Sequence, residues 1–251
     1  MHIVTLAKAT TAPTHARRDE ALIQAAIMRG PSASVWQMPD CLVVPRTYRA
    51  AANFTAVSNR FKQQGLPIDI RHSGGGVVPQ GNGILNISLA WCQAGRPLAY
   101  SDRAYKFLCA AIGQILARFN VASHAQAIQG SFCDGRFNVA SKSANGSIKK
   151  IAGTAQLWRH HRSANTPKAQ QVVLVHALLL VACDISYVTA QANALEAALG
   201  HDRRYQVAAA TTLHKLMGAA APDGETLMQQ VIHTSIGILS SLAPPDLKDV
   251  A

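Results

Sequence analysis

The sequence predicts an α/β (α+β) fold with a mixed central sheet flanked by helices. Runs rich in Val, Ile and Leu cluster between segments with helical spacing, which favours a mixed architecture. Hydrophobic residues make up 49% of the 251 residues and charged residues only 15%, as in a chain with a buried core. No internal repeat or low-complexity linker divides it. We therefore expect a single domain over residues 1–251, with a core at about 18–182 and a helical C-terminal part at about 185–245.

The N-terminal third begins with a predicted amphipathic helix over residues 17–30 that ends at Gly30, a residue type favoured at helix C-termini. Its small and apolar residues near helical spacing are Ala21, Leu22, Ala25, Ala26 and Met28. The runs "ASVWQM" and "CLVVP", separated by Pro39 and Asp40, predict a pair of strands. Residues 50–64 predict a second helix.

The remainder of the chain continues the alternation of strands and helices. "LPIDIR" and "ILNISLAW" predict strands on either side of a triple glycine. Residues 101–119 predict a helix that Ser101 or Asp102 caps. Four further runs predict strands, and residues 189–242 are expected to be mostly helical. These runs are "QAIQGSFCD", "RFNVAS", "KKIAGTAQLW" and "QQVVLVHALLLVAC".

The excess of basic over acidic residues favours anionic binding partners. Lys and Arg number 24 against 13 acidic residues, which gives a net charge of +11 and a surface that attracts anionic partners. The basic residues are scattered without an arginine-rich tail, so no nucleic-acid partner is predicted. No apolar run reaches the roughly 18 residues of a membrane helix, and the N-terminus has no long apolar segment typical of a signal peptide.

The cysteines and histidines carry no metal or disulfide pattern. Five cysteines form no CxxC pair, which favours reduced thiols and a cytoplasmic location. The four that lie on apolar runs are expected in the core: Cys41, Cys92, Cys109 and Cys183. Ten histidines show neither HxxxH nor HExxH spacing, so no metal site is predicted.

The stretch "IRHSGGGVVPQGNGILNISLAW" places three consecutive glycines between two strand-like runs. A Rossmann fingerprint fails because Pro79 occupies the third glycine position, and a P-loop fails because Asn82 follows Gly81. The loop also leads into a strand, so no helix N-terminus is available for a phosphate. Two explanations stay open: a tight turn, or a ligand that approaches the bare main chain.

A second stretch, "SFCDGRFNVASKSANGSIKKIAGTAQLW", carries two lysines directly before a strand of small residues. Gly153 and its neighbours leave room beside the backbone. A lysine at the start of such a strand is suited to hold a carboxylate, carbonyl or phosphate. An ordinary lysine beside a β-turn is the alternative, and it is the favoured one for Lys149.

Together, "R-H-S-G-G-G…G-x-L-N" and "K-I-A-G-T-A" resemble the two motifs of the lipoate–protein ligase and octanoyltransferase family. That family shares its catalytic fold with biotin–protein ligases. The resemblance covers roughly residues 18 to 182, with the motifs in the family's order. "DEALIQAA" resembles the family's first helix and "VHALLL" a later strand.

The resemblance implies roles for individual residues. Lys150 matches the lysine that contacts the activated acyl carbonyl and phosphate, and His176 matches the histidine of the later strand. The positions that match the loop around the acyl chain and the adenylate are Arg71, Ser73, Gly74, Gly75 and Gly76. The end of this motif and the small residues after the lysine correspond to Gly83, Leu85, Asn86, Gly153 and Ala155.

Four positions depart from the family pattern. Ile70 stands where an arginine is usual, Gln80 where a histidine is usual and Gly81 where an aspartate often lies, and Ala177 replaces a glycine. The departures in the first motif argue against activation by ATP more than they argue against acyl binding.

Three functions follow as hypotheses from the resemblance. The first is a ligase that uses ATP, with Mg²⁺ as its ion, to attach lipoate or octanoate through an acyl-adenylate to a lysine of an acidic lipoyl-type carrier domain. The second is a transferase that passes the acyl group from a thioester through Cys133, whose thiolate Lys150, Arg136 or His124 would favour. A buried structural role for Cys133 stays open beside it. The third is a non-catalytic relative that binds an acyl group or a nucleotide.

Overall fold

The computed structural model describes residues 1–4, 14–95, 100–132, 135–161 and 170–245. The strands are β1 (His2–Ile3), β2 (Ser32–Trp36), β3 (Cys41–Pro45), β4 (Ile68–Arg71), β5 (Val78–Gln80), β6 (Ile84–Ala94), β7 (His124–Ala125), β8 (Val139–Lys142), β9 (Ile148–His161) and β10 (Gln170–Leu180). The helices are α1 (His15–Arg29), α2 (Phe54–Gln63), α3 (Ser101–Ala117), α4 (Ile185–Ala198), α5 (Leu213–Met217) and α6 (Gly224–Ser241). The predicted mixed α/β fold is confirmed.

A seven-stranded mixed sheet forms the centre, in the order β1-β2-β6-β10-β9-β8-β7. The long strand β10 pairs antiparallel with both β6 and β9. Its side chains alternate between the two faces of the sheet. Val173 and Val175 pack in the core that contains α3 and α6, whereas Val172 and Leu174 pack against Leu22 of α1. The same alternation directs His176 toward α1.

The three-stranded second sheet, in the order β4-β3-β5, carries the triple glycine between β4 and β5. Strand β3 runs parallel to β4 and antiparallel to β5. Its apolar side chains share a core with α2, α4 and the end of β10, formed by Leu42, Val44, Phe61, Val188, Ala192 and Leu180 among others. This shared core holds the glycine loop over the central sheet.

The C-terminal helices are part of the packing around the central sheet. Leu227, Val231 and Leu239 of α6 lie in the same core as Leu108 and Ile112 of α3. A single domain over residues 1–251 stays a prediction. Within the described ranges, no helix is both long and apolar enough to cross a membrane.

Several local predictions were wrong. Strands β2 and β3 do not pair with each other: β2 pairs with β6, and β3 belongs to the smaller sheet. The described residues of the run "QAIQGSFCD" form no strand. A short strand, His124–Ala125, lies directly before the run. Cys92 is exposed near the end of β6, unlike Cys41, Cys109 and Cys183, which are buried.

The buried face of α1 also differs from the prediction. Met28 is 78% exposed, and the buried face is formed by His15, Arg18, Asp19, Leu22, Ile23 and Ala26. The helix begins after Thr14, whose hydroxyl accepts a hydrogen bond from the backbone N–H of Arg17, and it ends at Gly30 as predicted. Three polar side chains are therefore buried against the sheet.

Candidate active site

The three glycines of the loop have different local environments. Gly75 has a φ of 108°, in the left-handed region that L side chains rarely adopt. A Cβ on Gly76 would lie 2.8 Å from Nη1 of Arg203 and 2.9 Å from the hydroxyl of Tyr205, whereas a Cβ on Gly74 would meet nothing within 4 Å. The loop is thus a turn that requires glycine at position 75 and has one open side at Gly74.

Arg71 holds the glycine loop in shape. Its guanidinium is buried and donates hydrogen bonds to the carbonyl oxygens of Val43 at 3.0 Å, Gly74 at 2.9 Å and Gly76 at 2.7 Å. These hydrogen bonds tie the glycine loop to β3 through one side chain. The binding role that the resemblance implies for Arg71 stays a prediction, and its contacts with the loop are structural.

Lys150 lies buried near the start of β9, with only 2% of its surface exposed. Its Nζ donates a hydrogen bond to the carbonyl oxygen of Phe132. A Cβ on Gly153 would lie 2.8 Å from this Nζ and 3.0 Å from Cε. The absence of a side chain at Gly153 therefore makes room for the lysine, as the small residues in the sequence suggested.

A pocket joins Lys150 to the glycine motif. Its polar lining residues are His15, Arg71, Gln80, Asn86, Lys150 and His176, with Gly153, Thr154 and Ala155 beside them. Its apolar lining residues are Val43, Val78, Phe132, Ala177, Leu178 and Leu180. The pocket therefore has a polar lining that includes Lys150, which we call its head, and apolar walls that suit a hydrocarbon chain.

A second cavity adjoins the first through Thr154 and Ala155 of β9. Gly74 and Gly75 line its other side, together with Gln156 and the stacked aromatic pair Tyr105 and Phe137. The open side of Gly74 therefore leaves the main chain of the loop accessible from this cavity.

His176 connects the glycine loop to α1. Its Nε2 lies 2.7 Å from Oγ of Ser73, within hydrogen-bond distance, and its Nδ1 lies 3.8 Å from Oδ1 of Asp19. Burial lowers the pKa of His176, and Asp19 only partly opposes this. Burial alone would raise the pKa of Asp19, but His15 and His176 more than offset it, and the pKa of this carboxyl lies well below its usual range.

Gln80, which stands where the family motif usually has a histidine, has its side-chain hydrogen bonds satisfied within the pocket. Its side-chain amide exchanges two hydrogen bonds with that of Asn86, at 3.1 Å and 2.8 Å, and both residues are buried. The side-chain amide of Asn86 is thus hydrogen-bonded to Gln80, although Asn86 also lines the pocket. This reciprocal pair accounts for a glutamine where the family motif usually has a histidine.

A buried carboxylate supports the glycine loop from behind. Glu196 of α4 is fully buried and accepts hydrogen bonds from the hydroxyls of Tyr48 at 2.7 Å and Tyr205 at 2.6 Å, while His201 lies 2.6 Å away. Tyr48 in turn accepts from the backbone N–H of Val77, directly after the glycines. Burial, and then Glu196, raises the pKa of Tyr48 to about 12 and raises that of Tyr205 further.

We expect Glu196→Ala to lower the free energy of unfolding by about 3 kcal/mol, because two buried tyrosine hydroxyls would lose their acceptor. Urea denaturation of the variant and the wild type measures this loss. Glu225→Ala, at an exposed position of α6, is the control and should change stability by less than about 0.5 kcal/mol. Equal effects of the two substitutions would contradict the supporting role of Glu196.

The predicted site residues fall into three groups. The residues that line the shared pocket are Arg71, Asn86, Lys150, Gly153, Ala155 and His176. Ser73, Gly74, Gly75 and Gly76 form the loop beside it, whereas Gly83 packs against the backbone of Ala182 and Cys183 and serves the fold. Cys133 lies outside the described residues. Sequence reasoning missed His15, Asp19, Glu196 and Arg203.

Comparison with known proteins identifies the family. The model of the lipoyl protein ligase A/B catalytic domain matches residues 12–234. The chain belongs to this family. It is thus a lipoate–protein ligase-like enzyme, either an adenylate-forming ligase or an acyltransferase. The predicted family and fold class are confirmed.

Two known proteins resemble the chain over most of its length. An uncharacterized protein of Cupriavidus necator is 41% identical over 230 residues, which cover 90% of each protein. The octanoyl-[GcvH]:protein N-octanoyltransferase of Kyrpidia tusciae is 29% identical over 232 residues, which cover 92% of this chain and 77% of that protein.

Solved structures agree with the family fold. Lipoate-protein ligase A bound with ATP superimposes with a TM-score of 0.64 at 14% identity, over 95% of this chain and 85% of that one. A bi-partite lipoate protein ligase from Thermoplasma acidophilum gives a TM-score of 0.53 at 16% identity, over 89% and 79% of the two chains. At these identities the likeness concerns the fold.

Proposed function

We propose that this enzyme transfers an octanoyl or lipoyl group from a thioester donor to a lysine of an acceptor carrier domain, through a thioester on Cys133. The observation that carries the proposal is the contact of the buried Lys150 ammonium with the carbonyl oxygen of Phe132. Phe132 directly precedes Cys133 in the sequence. The similarity to an octanoyltransferase, over 92% of this chain and 77% of that protein, also supports this function.

The pocket provides binding and charge stabilisation for such a transfer. The acyl chain lies among Val78, Leu178 and Leu180, where the hydrophobic effect favours a hydrocarbon. Its carbonyl then lies at the head of the pocket beside Lys150. A buried ammonium stabilises a thiolate, and it stabilises the oxyanion that forms when a nucleophile attacks the carbonyl.

The reaction has two steps. The Cys133 thiolate attacks the donor thioester, a new carbon–sulfur bond forms, and the donor sulfur leaves as a thiolate that takes up a proton. The neutral amine of the acceptor lysine then attacks the Cys133 thioester. An amide forms, the amine loses a proton and Cys133 leaves as a thiolate, ready for another cycle.

The net charge of +11 suits an acidic carrier domain, because opposite charges steer encounter and orient the partner. The names of the relatives refer to lipoyl domains and to GcvH as partner proteins. We propose a partner of this chemistry, an acidic lipoyl-type carrier domain with an acceptor lysine. A cytoplasmic location stays a prediction from the cysteine pattern.

A ligase that forms an acyl-adenylate is the second candidate. The cavity between Gly74 and Gln156 favours the ligase. This cavity adjoins the pocket that contains Lys150, and the glycines on its wall leave the main chain accessible to a nucleotide. ATP would bind there with its phosphate near Lys150, and Mg²⁺ would accompany the nucleotide. The third candidate, a non-catalytic relative, would bind the acyl group without turnover.

Trapping of the acyl-enzyme distinguishes the transferase from the other two candidates. The transferase should gain the mass of one octanoyl group when it is incubated with octanoyl-CoA and quenched in acid, and hydroxylamine should remove this group. Cys133→Ser should gain none. Cys92→Ser, which removes an exposed cysteine away from the pocket, is the control and should gain the full amount.

Two outcomes would contradict the transferase. Full activity of Cys133→Ser toward a carrier domain would exclude a thioester on that residue. Carrier acylation from free octanoate that requires ATP, together with octanoate-dependent exchange of pyrophosphate into ATP, would establish the ligase instead.

A further inference from the structure

Three metal-ligating side chains converge below the pocket. His15 and Asp19 are separated by one turn of α1, so both project from the same helix face. His176 projects toward them from β10. All three are buried, with 4%, 1% and 7% of their surfaces exposed. Their ligand atoms all lie within 4.8 Å of one another.

The spacing of these atoms exceeds that of direct hydrogen bonds. Nδ1 of His15 lies 3.3 Å from Oδ2 of Asp19, and Nδ1 of His176 lies 3.8 Å from Oδ1. Hydrogen bonds of this type measure about 2.7–3.2 Å. None of these four atoms has a hydrogen-bond partner among the described residues. Buried polar atoms without partners are costly and call for a shared partner.

A metal ion between the three side chains accounts for this spacing. Zinc bonds to imidazole nitrogen and carboxylate oxygen of about 2.0–2.2 Å place neighbouring tetrahedral ligand atoms roughly 3.3–3.6 Å apart. The observed separations of 3.3 Å and 3.8 Å lie near this range. The donor set of two imidazoles and one carboxylate also suits a divalent transition metal better than Mg²⁺, which prefers oxygen.

The surroundings orient both imidazole rings. Ser73 lies 2.7 Å from Nε2 of His176, which leaves Nδ1 of that ring directed at Asp19. Such a contact on the second ring nitrogen is the usual support of a metal-ligating histidine. The edge of the Trp36 ring packs on His15 with ring centroids 5.1 Å apart, and the backbone N–H of His15 donates to Asp69 at 2.6 Å.

We propose that His15, Asp19 and His176 bind one divalent transition-metal ion, for which Zn²⁺ is the probe. The ion would link α1 to β10 and, through Ser73, to the glycine loop. His15 and His176 also line the pocket that contains Lys150, so the ion would lie beside that pocket. This inference is independent of the acyl-transfer proposal, since it concerns binding and local structure.

The test measures metal binding by the full-length, tag-free protein after treatment with a chelator and dialysis. Equilibrium dialysis against Zn²⁺ with elemental analysis should give one ion per chain in the wild type. Titration with Co²⁺ should give d–d absorption without the charge-transfer band of a thiolate ligand, which excludes binding by cysteine. Zn²⁺ should also raise the melting temperature.

Four variants locate the site. Asp19→Asn and His15→Asn should each lower the affinity at least 100-fold, and Ser73→Ala, which keeps all three ligands, should lower it about 10-fold. His233→Asn, at an exposed position of α6, is the control and should bind like the wild type. Circular dichroism checks that each variant is folded.

Three outcomes would overturn the proposal. They are a wild type that binds neither Zn²⁺ nor Co²⁺, folded Asp19→Asn and His15→Asn variants that bind as tightly as the wild type, and a Co²⁺ spectrum with thiolate character. Loss of acyl transfer without a change in metal binding would bear on the proposed function alone.

Discussion

Lys150→Met should reduce octanoyl transfer to the carrier at least about 1,000-fold while the protein stays folded. The variant keeps most of the side-chain volume but removes the ammonium that contacts the carbonyl oxygen of Phe132. Loss of one preorganised charge or donor from an acyl-transfer site typically costs about 10²–10³ in rate, and loss of thiolate stabilisation adds to it. The rate of carrier acylation, followed by mass spectrometry, measures the effect.

The stability of the variant separates a catalytic lysine from a structural one. A buried ammonium is costly to desolvate, so its replacement by an apolar side chain should leave the free energy of unfolding unchanged or raise it. Lys149→Met, one residue earlier on β9 and only partly buried, is the matched control and should keep the full rate. If stability and rate fell together for Lys150→Met, the lysine would be structural.

Gly153→Ala should lower the transfer rate about 10- to 100-fold with little change in stability. The new Cβ would lie 2.8 Å from Nζ and 3.0 Å from Cε of Lys150 in their present positions. The end of a lysine side chain moves away at low cost, so the free energy of unfolding should change by less than about 1 kcal/mol. The displaced ammonium would lose its position at the head of the pocket, and small misplacements in an active site cost large factors in rate.

Gly237→Ala provides the control for this substitution, because a Cβ at that position of α6 meets nothing within 4 Å. It should leave the transfer rate unchanged. Steady-state kinetics at a saturating concentration of the carrier should show that Gly153→Ala lowers kcat. A variant with full kcat would show that the rate does not depend on where the Lys150 ammonium lies.

The motif residues and the strand pattern made much of the site predictable. Small residues around Gly153 indicate room beside the backbone for the side chain of Lys150. Residues three apart face opposite sides of a regular strand, so the contact of Lys150 with Gly153 depends on the register shift between β8 and β9, which the spacing does not reveal. The placement of His176 follows from the alternation of β10. The sequence could not reveal that Arg203 and Tyr205 close the space beside Gly76, because those contacts join segments far apart in the chain.

The polar residues of α1 carry a signal in the sequence that predicts a buried polar cluster. Leu22, Ile23 and Ala26 define its buried face, and steps of three or four residues toward the N-terminus reach Asp19, Arg18 and His15. Polar side chains on a buried helix face require partners. A prediction based on apolar residues alone instead assigned Met28 to this face, although it is exposed.

Glu196 and Gln80 illustrate partners that sequence alone does not reveal. A glutamate in the largely apolar helix α4 indicates a buried acceptor, but its donors, Tyr48 and Tyr205, come from other segments. Gln80 departs from the family motif, and only the structure shows that Asn86 satisfies its amide. Such pairings depend on tertiary contacts rather than on local spacing.

The central claim is that Lys150 and the pocket below the glycine loop support acyl transfer to a carrier lysine. Incubation of the wild type, Lys150→Met and Lys149→Met with octanoyl-CoA and a lipoyl-type carrier domain tests it most directly, with the mass of the carrier as the readout. We predict that the wild type and Lys149→Met add one octanoyl group at the same rate, and that Lys150→Met adds it at least about 1,000-fold more slowly. Equal acylation by all three proteins would contradict the claim.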